Sequence, residues 1–473
     1  MIVFVISSFV LLALYLWHCD RAVTTTHPEA LKLAQTPWTT EEIREAYRRL
    51  QESPIDVKPY LCSKRNRRYV VTGGSGLVGG WIVHHLLMRG EDPKAIRIVD
   101  ISLTKRPEAA NIAFVKTDVT DADSTRAAFA QSWPDHVKDL PLTVFHCVAY
   151  IKVTARTADF LPFFTKINTK GTQHVLDAAK EAGASCFIAT ASGSIAERAP
   201  NFFPWPWQRW PRDIFQLMPN AEPLSLQTPL SQWTSCYAYS KALAEDLVLK
   251  ANEPSFVTGT IRPAHAVYGH GVDNSSSLTW DYLRRGGAPS WIWNCVGNFV
   301  NAQNVSIAHL CYENVLLNGK HHGGKGYCAT DPNPPITFTN LYDTLQTLTH
   351  PLTPVKFSKI PHITMLLLAY CVEAYELTRV RYLSFLPAVQ GDLLMIQPTM
   401  FQTACLHLVA TDTAALQEID YKAPITTKDG FAWAVLDWNE KVEAGAKQKL
   451  EQGEGGEVHV QPISTMPVPP STH

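Results

Sequence analysis

Paired cysteines, charge of one sign and long apolar runs are all scarce in this chain, and each scarcity excludes something. The ten cysteines (Cys19, Cys62, Cys147, Cys186, Cys236, Cys295, Cys311, Cys328, Cys371 and Cys405) form no C-x-x-C pair and no His/Cys cluster at zinc-ligand spacing. They read as free thiols in a reducing compartment, several filling core space, and no metal site is expected. Charged residues make up 18% of the chain and the net charge is −1. No basic field invites nucleic acid, which is discarded as a partner.

The apolar run at Ile2–Trp17 is slightly short for a membrane span, which takes about 17 to 25 residues. No basic stretch precedes it and no small-x-small cleavage site comes before Asp20 and Arg21, which disfavours a secretory signal. Arg21, Lys32, Arg44, Arg48 and Arg49 follow it, so the positive-inside rule keeps the rest of the chain cytosolic. The expectation is an uncleaved N-terminal membrane anchor over 1–21, with a peripheral hairpin-like insertion as the fallback. A second apolar stretch, Ile363–Val372, is cut short by Glu373 and Glu376 and reads equally as a monotopic membrane contact or a buried helix.

What is present is a chain of 473 residues with 46% hydrophobic content, enough for a large α/β domain with a second lobe. It is organised around Arg68–Gly80, where the strand Tyr69-Val70-Val71 leads through Thr72 into Gly73-Gly74-Ser75-Gly76-Leu77-Val78-Gly79 and an apolar helix. Gly74, Gly76 and Gly79 fit G-x-G-x-x-G; Gly73, Gly76 and Gly79 fit the wider spacing. Small residues there let the backbone turn sharply and approach a pyrophosphate at a helix N-terminus. A second strand at 95–99 ends at Asp100, about 20 residues after the last glycine, the offset expected for a carboxylate on an adenine ribose. That carboxylate repels a 2′-phosphate, so the expected cofactor is NAD rather than NADP.

Strands and helices then alternate through residue 189, which predicts a doubly wound parallel sheet with ligands at the carboxyl ends of its strands. Asp118, before Val119, ends one such strand and is either an acceptor for the adenine amino group or a solvated helix cap. Further on, Tyr237-Ala238-Tyr239-Ser240-Lys241 gives Y-x-x-x-K at the head of a helical pattern. Residues four apart share a helix face, so the lysine cation can lower the pKa of the phenol and make Tyr237 a general base. Ser192, at the end of the strand segment Phe187–Ala189, is the candidate that orients a substrate oxygen, with Ser194 and Thr190 as rivals. His146 reads as a packed residue under the cofactor.

Taken together, the glycine turn, Asp100, Asp118-Val119, Asn168 with Gly171-Thr172, Ser192, Tyr237, Lys241 and Arg262-Pro263…Tyr268-Gly269 resemble an extended short-chain dehydrogenase/reductase over roughly residues 66–440. Gly73-Gly74, Phe299–Val305 with Ala308-His309, and Gly326-Tyr327…Thr330-Asp331 are most similar to the 3β-hydroxysteroid dehydrogenase branch, especially the decarboxylating sterol-4α-carboxylate 3-dehydrogenases. Leu77 stands in place of a usual aromatic, Ile419-Asp420-Tyr421 in place of Leu-Gly-Tyr, and a stretch rich in proline and aromatics, Ala199–Trp233, is inserted after Ser192. That insertion is either an apolar lid, a segment that dips into the bilayer surface, or a rigid surface loop.

The resemblance implies catalysis by Ser192, Tyr237 and Lys241. It also implies NAD contacts from Gly73, Gly74, Ser75, Gly76, Leu77, Val78, Gly79, Asp100, Asp118, Val119, Asn168, Tyr237, Lys241 and Pro263. The expected organisation is an anchor (1–21), a polar connector read as a solvated spacer (22–67), a Rossmann NAD-binding domain (68–272), mainly a substrate lobe (273–445) and a disordered tail (446–473). The expected activity is oxidation of the 3β-hydroxyl of a sterol or triterpenoid, with loss of a 4-carboxylate, at the endoplasmic reticulum membrane with the catalytic domain in the cytosol. A dehydrogenase/Δ5-isomerase and a secondary-metabolite ketoreductase are the alternatives within the class, and a silent NAD-binding membrane scaffold is the alternative outside it. A homodimer is a further expectation.

Overall fold

The computed structural model describes the chain except for residues 153, 220, 222–225, 265, 270–277, 320–321, 333 and 452–473. Five strands of the main sheet come early: β1 (Arg68–Thr72), β2 (Ile96–Asp100), β3 (Ala113–Lys116), β4 (Leu142–His146) and β5 (Ala184–Thr190). Val257–Pro263 and Gly326–Ala329 complete seven strands, ordered Gly326–Ala329, Val257–Pro263, β5, β4, β1, β2, β3. Every pairing is parallel. Strand alternation sends Tyr69, Val71, Ile98, Phe145 and Ile188 to one core and Val70, Val99, Val144 and Phe187 to another. Two apolar faces need two layers of helices, which is the doubly wound architecture expected.

The boundary expected at 272/273 lies outside the described residues, and the sheet does not respect it. The edge strand Gly326–Ala329 and the helix Ala302–Leu317, which packs on the sheet, both come from beyond it. Conversely, the insertion after Ser192 contributes Phe215–Leu217 to a second sheet, where it pairs with His407–Val409. The two lobes are interleaved because strand pairing and core burial are satisfied between segments far apart in sequence.

The N-terminal region also differs from the expected spacer. Helices α1 (Ile2–Thr24), α2 (Pro28–Leu33) and α3 (Thr40–Glu52) precede the sheet. Thr39 and Glu42 close a reciprocal capping box at the start of α3. Ile43, Ala46 and Leu50 then fall on one face and are buried. With Trp38 they pack into the C-terminal lobe, among residues that include Phe431 and Ala432. The connector is part of the fold because a one-sided apolar stripe is stable only when covered. At the other end, the stretch expected as a tail from 446 is helical as far as Glu451, the end of the helix Thr427–Glu451, and the rest of it lies outside the described residues.

Candidate active site

The order of the strands reverses between β1 and β4, and the glycine turn lies over that gap. Gly73, at φ +73°, takes a conformation that L side chains rarely adopt. A Cβ there would sit 2.8 Å from the carbonyl carbon of Cys147 after β4, and one on Gly79 would sit 2.3 Å from the Gly73 carbonyl oxygen. Gly76 is the residue before helix α4 (Leu77–Met88). Asp100, at the end of β2, accepts from the Ser75 amide at 3.1 Å and the Ser102 amide at 3.0 Å, which pins its carboxylate beside the turn. The Ser75 hydroxyl is buried with no hydrogen-bond partner among the described residues. A tight glycine turn at a helix N-terminus, an orphan hydroxyl and a fixed carboxylate fit a dinucleotide. Leu77 and Val78 form the first turn of the helix behind it.

The other expected cofactor residues have partners within the chain. Asp118 is exposed and its carboxylate accepts from the Thr120 amide at 2.9 Å, so it closes a turn before the next helix, which Asp121 caps. Val119 is buried beneath Gly171, whose added Cβ would meet its side chain at 3.0 Å. Asn168 is fully buried. Its side chain accepts from the Tyr150 amide and donates to the Ser240 hydroxyl at 2.9 Å, tying the loop after β4 to the helix Cys236–Lys250. Pro263 ends its strand with its carbonyl against Gly193, where a Cβ would lie 2.7 Å away.

Ser192 and Tyr237 share a side-chain hydrogen bond, and Lys241 lies one helical turn beyond Tyr237. Ser235 caps the helix Cys236–Lys250, which places Tyr237 and Lys241 one turn apart on its buried side. Burial pushes the Tyr237 phenol up to about 12, a hydrogen bond with the Ser192 side chain opposes the shift, and the Glu197 carboxylate adds to it. Burial pulls the Lys241 ammonium down to about 8, and its Nζ donates to the Thr190 carbonyl at 2.8 Å. The rivals of Ser192 separate cleanly. Thr190 turns its hydroxyl toward His309 and Cys147, whereas Ser194 lies 2.8 Å from the Ser192 oxygen and supports it. His146 is held between the hydroxyls of Thr72 and Thr172, with burial lowering its pKa to about 3, so it stays neutral.

Two features were not visible in the sequence. Glu197 is buried, accepts from the Thr234 hydroxyl at 2.8 Å, and burial pushes its carboxyl up to about 8. Beside the start of the helix Cys236–Lys250 lies a cavity of ≈ 380 Å³ lined by Arg156, Thr157, Ala158, Leu230, Ser231 and Trp233. The Cys236 amide donates to the Ala155 carbonyl at 2.8 Å, so this wall is joined directly to the helix that carries Tyr237. Neither has a local sequence signature, since each is made where separate loops meet.

Residues 70–353 match the model of the 3-beta hydroxysteroid dehydrogenase/isomerase family. The chain belongs to that family. Within it, the chain is 27% identical to mouse (Mus musculus) 3 beta-hydroxysteroid dehydrogenase type 7 over 283 residues, covering 56% of this chain and 69% of the relative. It is 26% identical to a vaccinia virus (strain Copenhagen) 3 beta-hydroxysteroid dehydrogenase/Delta 5-->4-isomerase over 306 residues, 62% of this chain and 79% of that one. The fold is also shared with MoeE5, solved with UDP-glucuronic acid and NAD, at a TM-score of 0.54 and 15% identity over 79% of this chain and 99% of that one. Several residues that resemble the family turn out to be architectural. Asp331 accepts from Tyr268, the Asn301 amide, Asn304 and Thr427, so motifs from distant segments meet in one buried knot.

Proposed function

We propose that the protein oxidises the 3β-hydroxyl of a sterol or related triterpenoid with NAD, and that a 4-carboxylate on the substrate is then lost as carbon dioxide. The observation that carries this reading is the buried hydrogen bond between Ser192 and Tyr237, with Lys241 one turn along the same helix, next to an apolar cavity. A non-catalytic scaffold has no use for that arrangement. The glycine turn and Asp100 would hold the dinucleotide, with Asp100 on the adenine ribose and Lys241 toward the nicotinamide ribose. Bound NAD supplies the hydride acceptor.

Tyr237 takes the hydroxyl proton as the C3 hydride leaves. Ser192 holds the oxygen, and the Lys241 charge favours the phenolate. In the resulting β-keto acid, the C4–carboxylate bond breaks and its electron pair delocalises into the carbonyl as an enolate. Ser192 and the newly protonated Tyr237 stabilise that oxygen by hydrogen bonding. Arg156 in the cavity wall, paired with Glu373 at 2.7 Å, supplies a guanidinium that a substrate carboxylate can share. The free cysteines and the apolar helix α1 support residence on the endoplasmic reticulum membrane with the catalytic part in the cytosol.

The second reading, a dehydrogenase/Δ5-isomerase, is favoured by Glu197. A buried carboxyl held protonated near pH 7 beside Tyr237 is suited to move a proton between ring carbons. Purified protein incubated with NAD and a panel of 3β-hydroxysterols separates the two: release of carbon dioxide from a 4-carboxysterol supports the first, a conjugated Δ4-3-ketone the second. Tyr237→Phe should lower turnover at least about a hundredfold in either case. Near-wild-type turnover would end the mechanism.

A further inference from the structure

The helix His362–Arg381 carries an outer face that water does not explain. Thr364, Leu367, Leu368, Cys371, Tyr375 and Thr378 recur at helical spacing on its exposed side, and none is charged. The helix's charges lie on its flanks and are engaged: Glu373 with Arg156, Glu376 with Arg379, Arg381 with Asp159. A solvated helix normally presents charge outward, so this arrangement is inverted. Just past its end, Tyr382 and Phe385 are 77% and 80% exposed.

Two other apolar elements converge on this helix. The start of the helix is fastened to the foot of α1, where the Asp20 carboxylate accepts from the Ile363 amide at 3.0 Å. The Trp-rich insertion is fastened to the same foot, since the His18 ring bonds the Gln208 carbonyl at 3.0 Å and Phe202 packs on His362 at 4.9 Å. From that insertion Trp205 and Trp207 project as a stacked pair, 62% and 78% exposed. Arg209 stands beside them over Trp210. Tryptophan next to arginine at the base of an apolar helix is the composition of a membrane–water interface.

The length of α1 points the same way. Cys19, Ala22 and Val23 are buried, and Tyr15 and Leu16 pack on the C-terminal lobe, so the stem free of the globular part is Ile2 to Leu14. At about 1.5 Å per residue that stem reaches about 20 Å, against a hydrocarbon core of about 30 Å. A catalytic part held off the membrane leaves the stem too short. Seating its foot in the interfacial layer closes the gap.

We propose that Trp205 and Trp207, with the uncharged face of the helix His362–Arg381, form a bilayer-seated platform around the foot of α1. This rests on reading α1 as a membrane anchor, and it deepens the proposed function by giving the substrate a route. Glu373 on this helix holds Arg156 in the cavity wall, so an apolar substrate passes from the lipid to the cavity beside Tyr237 without crossing water. The occupant of the platform is lipid rather than a protein or a second copy of the chain.

The test uses the full chain in phosphatidylcholine/phosphatidylserine vesicles with brominated acyl chains. Wild type should show a component of tryptophan quenching that Trp205→Phe/Trp207→Phe lacks. Emission from the pair that is equally bright in brominated and plain lipid overturns the proposal and leaves a protein partner as the occupant. Alkaline carbonate extraction reads α1 separately, because both proteins should stay in the pellet if α1 is the anchor, whatever the quenching shows. In a second arm, Leu367→Ser/Leu368→Ser should raise KM for vesicle-borne sterol by about fivefold, or about 1 kcal/mol, with kcat unchanged and KM unchanged for cyclodextrin-delivered sterol. Equal KM changes in both presentations would mark a folding defect and count against the platform. Quenching needs no turnover, so a wrong substrate assignment and a wrong platform give different results.

Discussion

Replacing Ser192 with alanine tests the electrostatics of the site most directly. In the folded protein, burial holds the Tyr237 phenol at about 12 and the Ser192 hydrogen bond works against that rise. A hydrogen bond to a charged group contributes about 1.5–3 kcal/mol, which at about 1.36 kcal/mol per unit is one to two units of pKa. Losing it should move the phenol upward by that amount. At any pH below its midpoint, the phenolate fraction then falls about 10- to 100-fold. Ser194 lies 2.8 Å from the Ser192 oxygen and can move in, so Ser192→Ala should sit near the low end and Ser192→Ala/Ser194→Ala near the high end. The assay is kcat/KM against pH with a 3β-hydroxysterol, and the expected result is a lower rate at neutral pH with the rising limb displaced to higher pH. Ser192 also caps a short helical turn through the Ser194 amide, so a thermal melt must accompany the kinetics. A variant with the wild-type pH profile, or with a change in Tm alone, would refute this account of how the phenol is tuned.

Gly79→Ala should weaken NAD binding by about 10- to 100-fold in Kd, the scale of an overpacked backbone contact of about 1–3 kcal/mol, because the collision is with the Gly73 backbone; calorimetric titration reads it, with Gly445→Ala, whose added Cβ meets no atom within 4 Å among the described residues, as the comparison. Glu197→Gln tests a raised carboxyl. The folded pKa of about 8 lies above the ordinary 4.5, so its contribution is full below about 4.5 and is lost as pH rises through 8. The variant should therefore gain Tm over wild type on going from pH 5 to pH 8, and a pH-independent difference would refute the shift. Asp420 occupies a left-handed conformation at φ +55°, at the end of the helix Thr413–Ile419, so Asp420→Gly should stabilise by roughly 0.5–1 kcal/mol in denaturant melts.

That last position shows how a departure in sequence becomes intelligible only in three dimensions. Ile419-Asp420-Tyr421 stands where glycine is common in the middle, and the backbone explains why: the chain turns left-handed there while Tyr421 reaches the Thr330 carbonyl at 2.8 Å. Asp tolerates that geometry better than most side chains. The fold did not need the glycine.

What the sequence determined by itself is whatever depends on neighbours along the chain. The strand–turn–helix around Gly73–Gly79, the alternation through β5, the one-turn spacing of Tyr237 and Lys241, and the capped start of α3 are all short-range, set by period and by backbone sterics. The buried stripe of Ile43, Ala46 and Leu50 was legible too, at i, i+3 and i+7, although a reading of the connector as a spacer passed over it. Tertiary structure alone decided the rest. It supplied the seventh strand from Gly326–Ala329, tied Asn168 to Ser240, and put Glu197 beside Tyr237. It also set Trp205 and Trp207 at the foot of α1. Each of these joins residues far apart in sequence through burial or a single hydrogen bond, and neither leaves a periodic trace in the chain: which distant segments meet is fixed by the whole packing, not by any one of them.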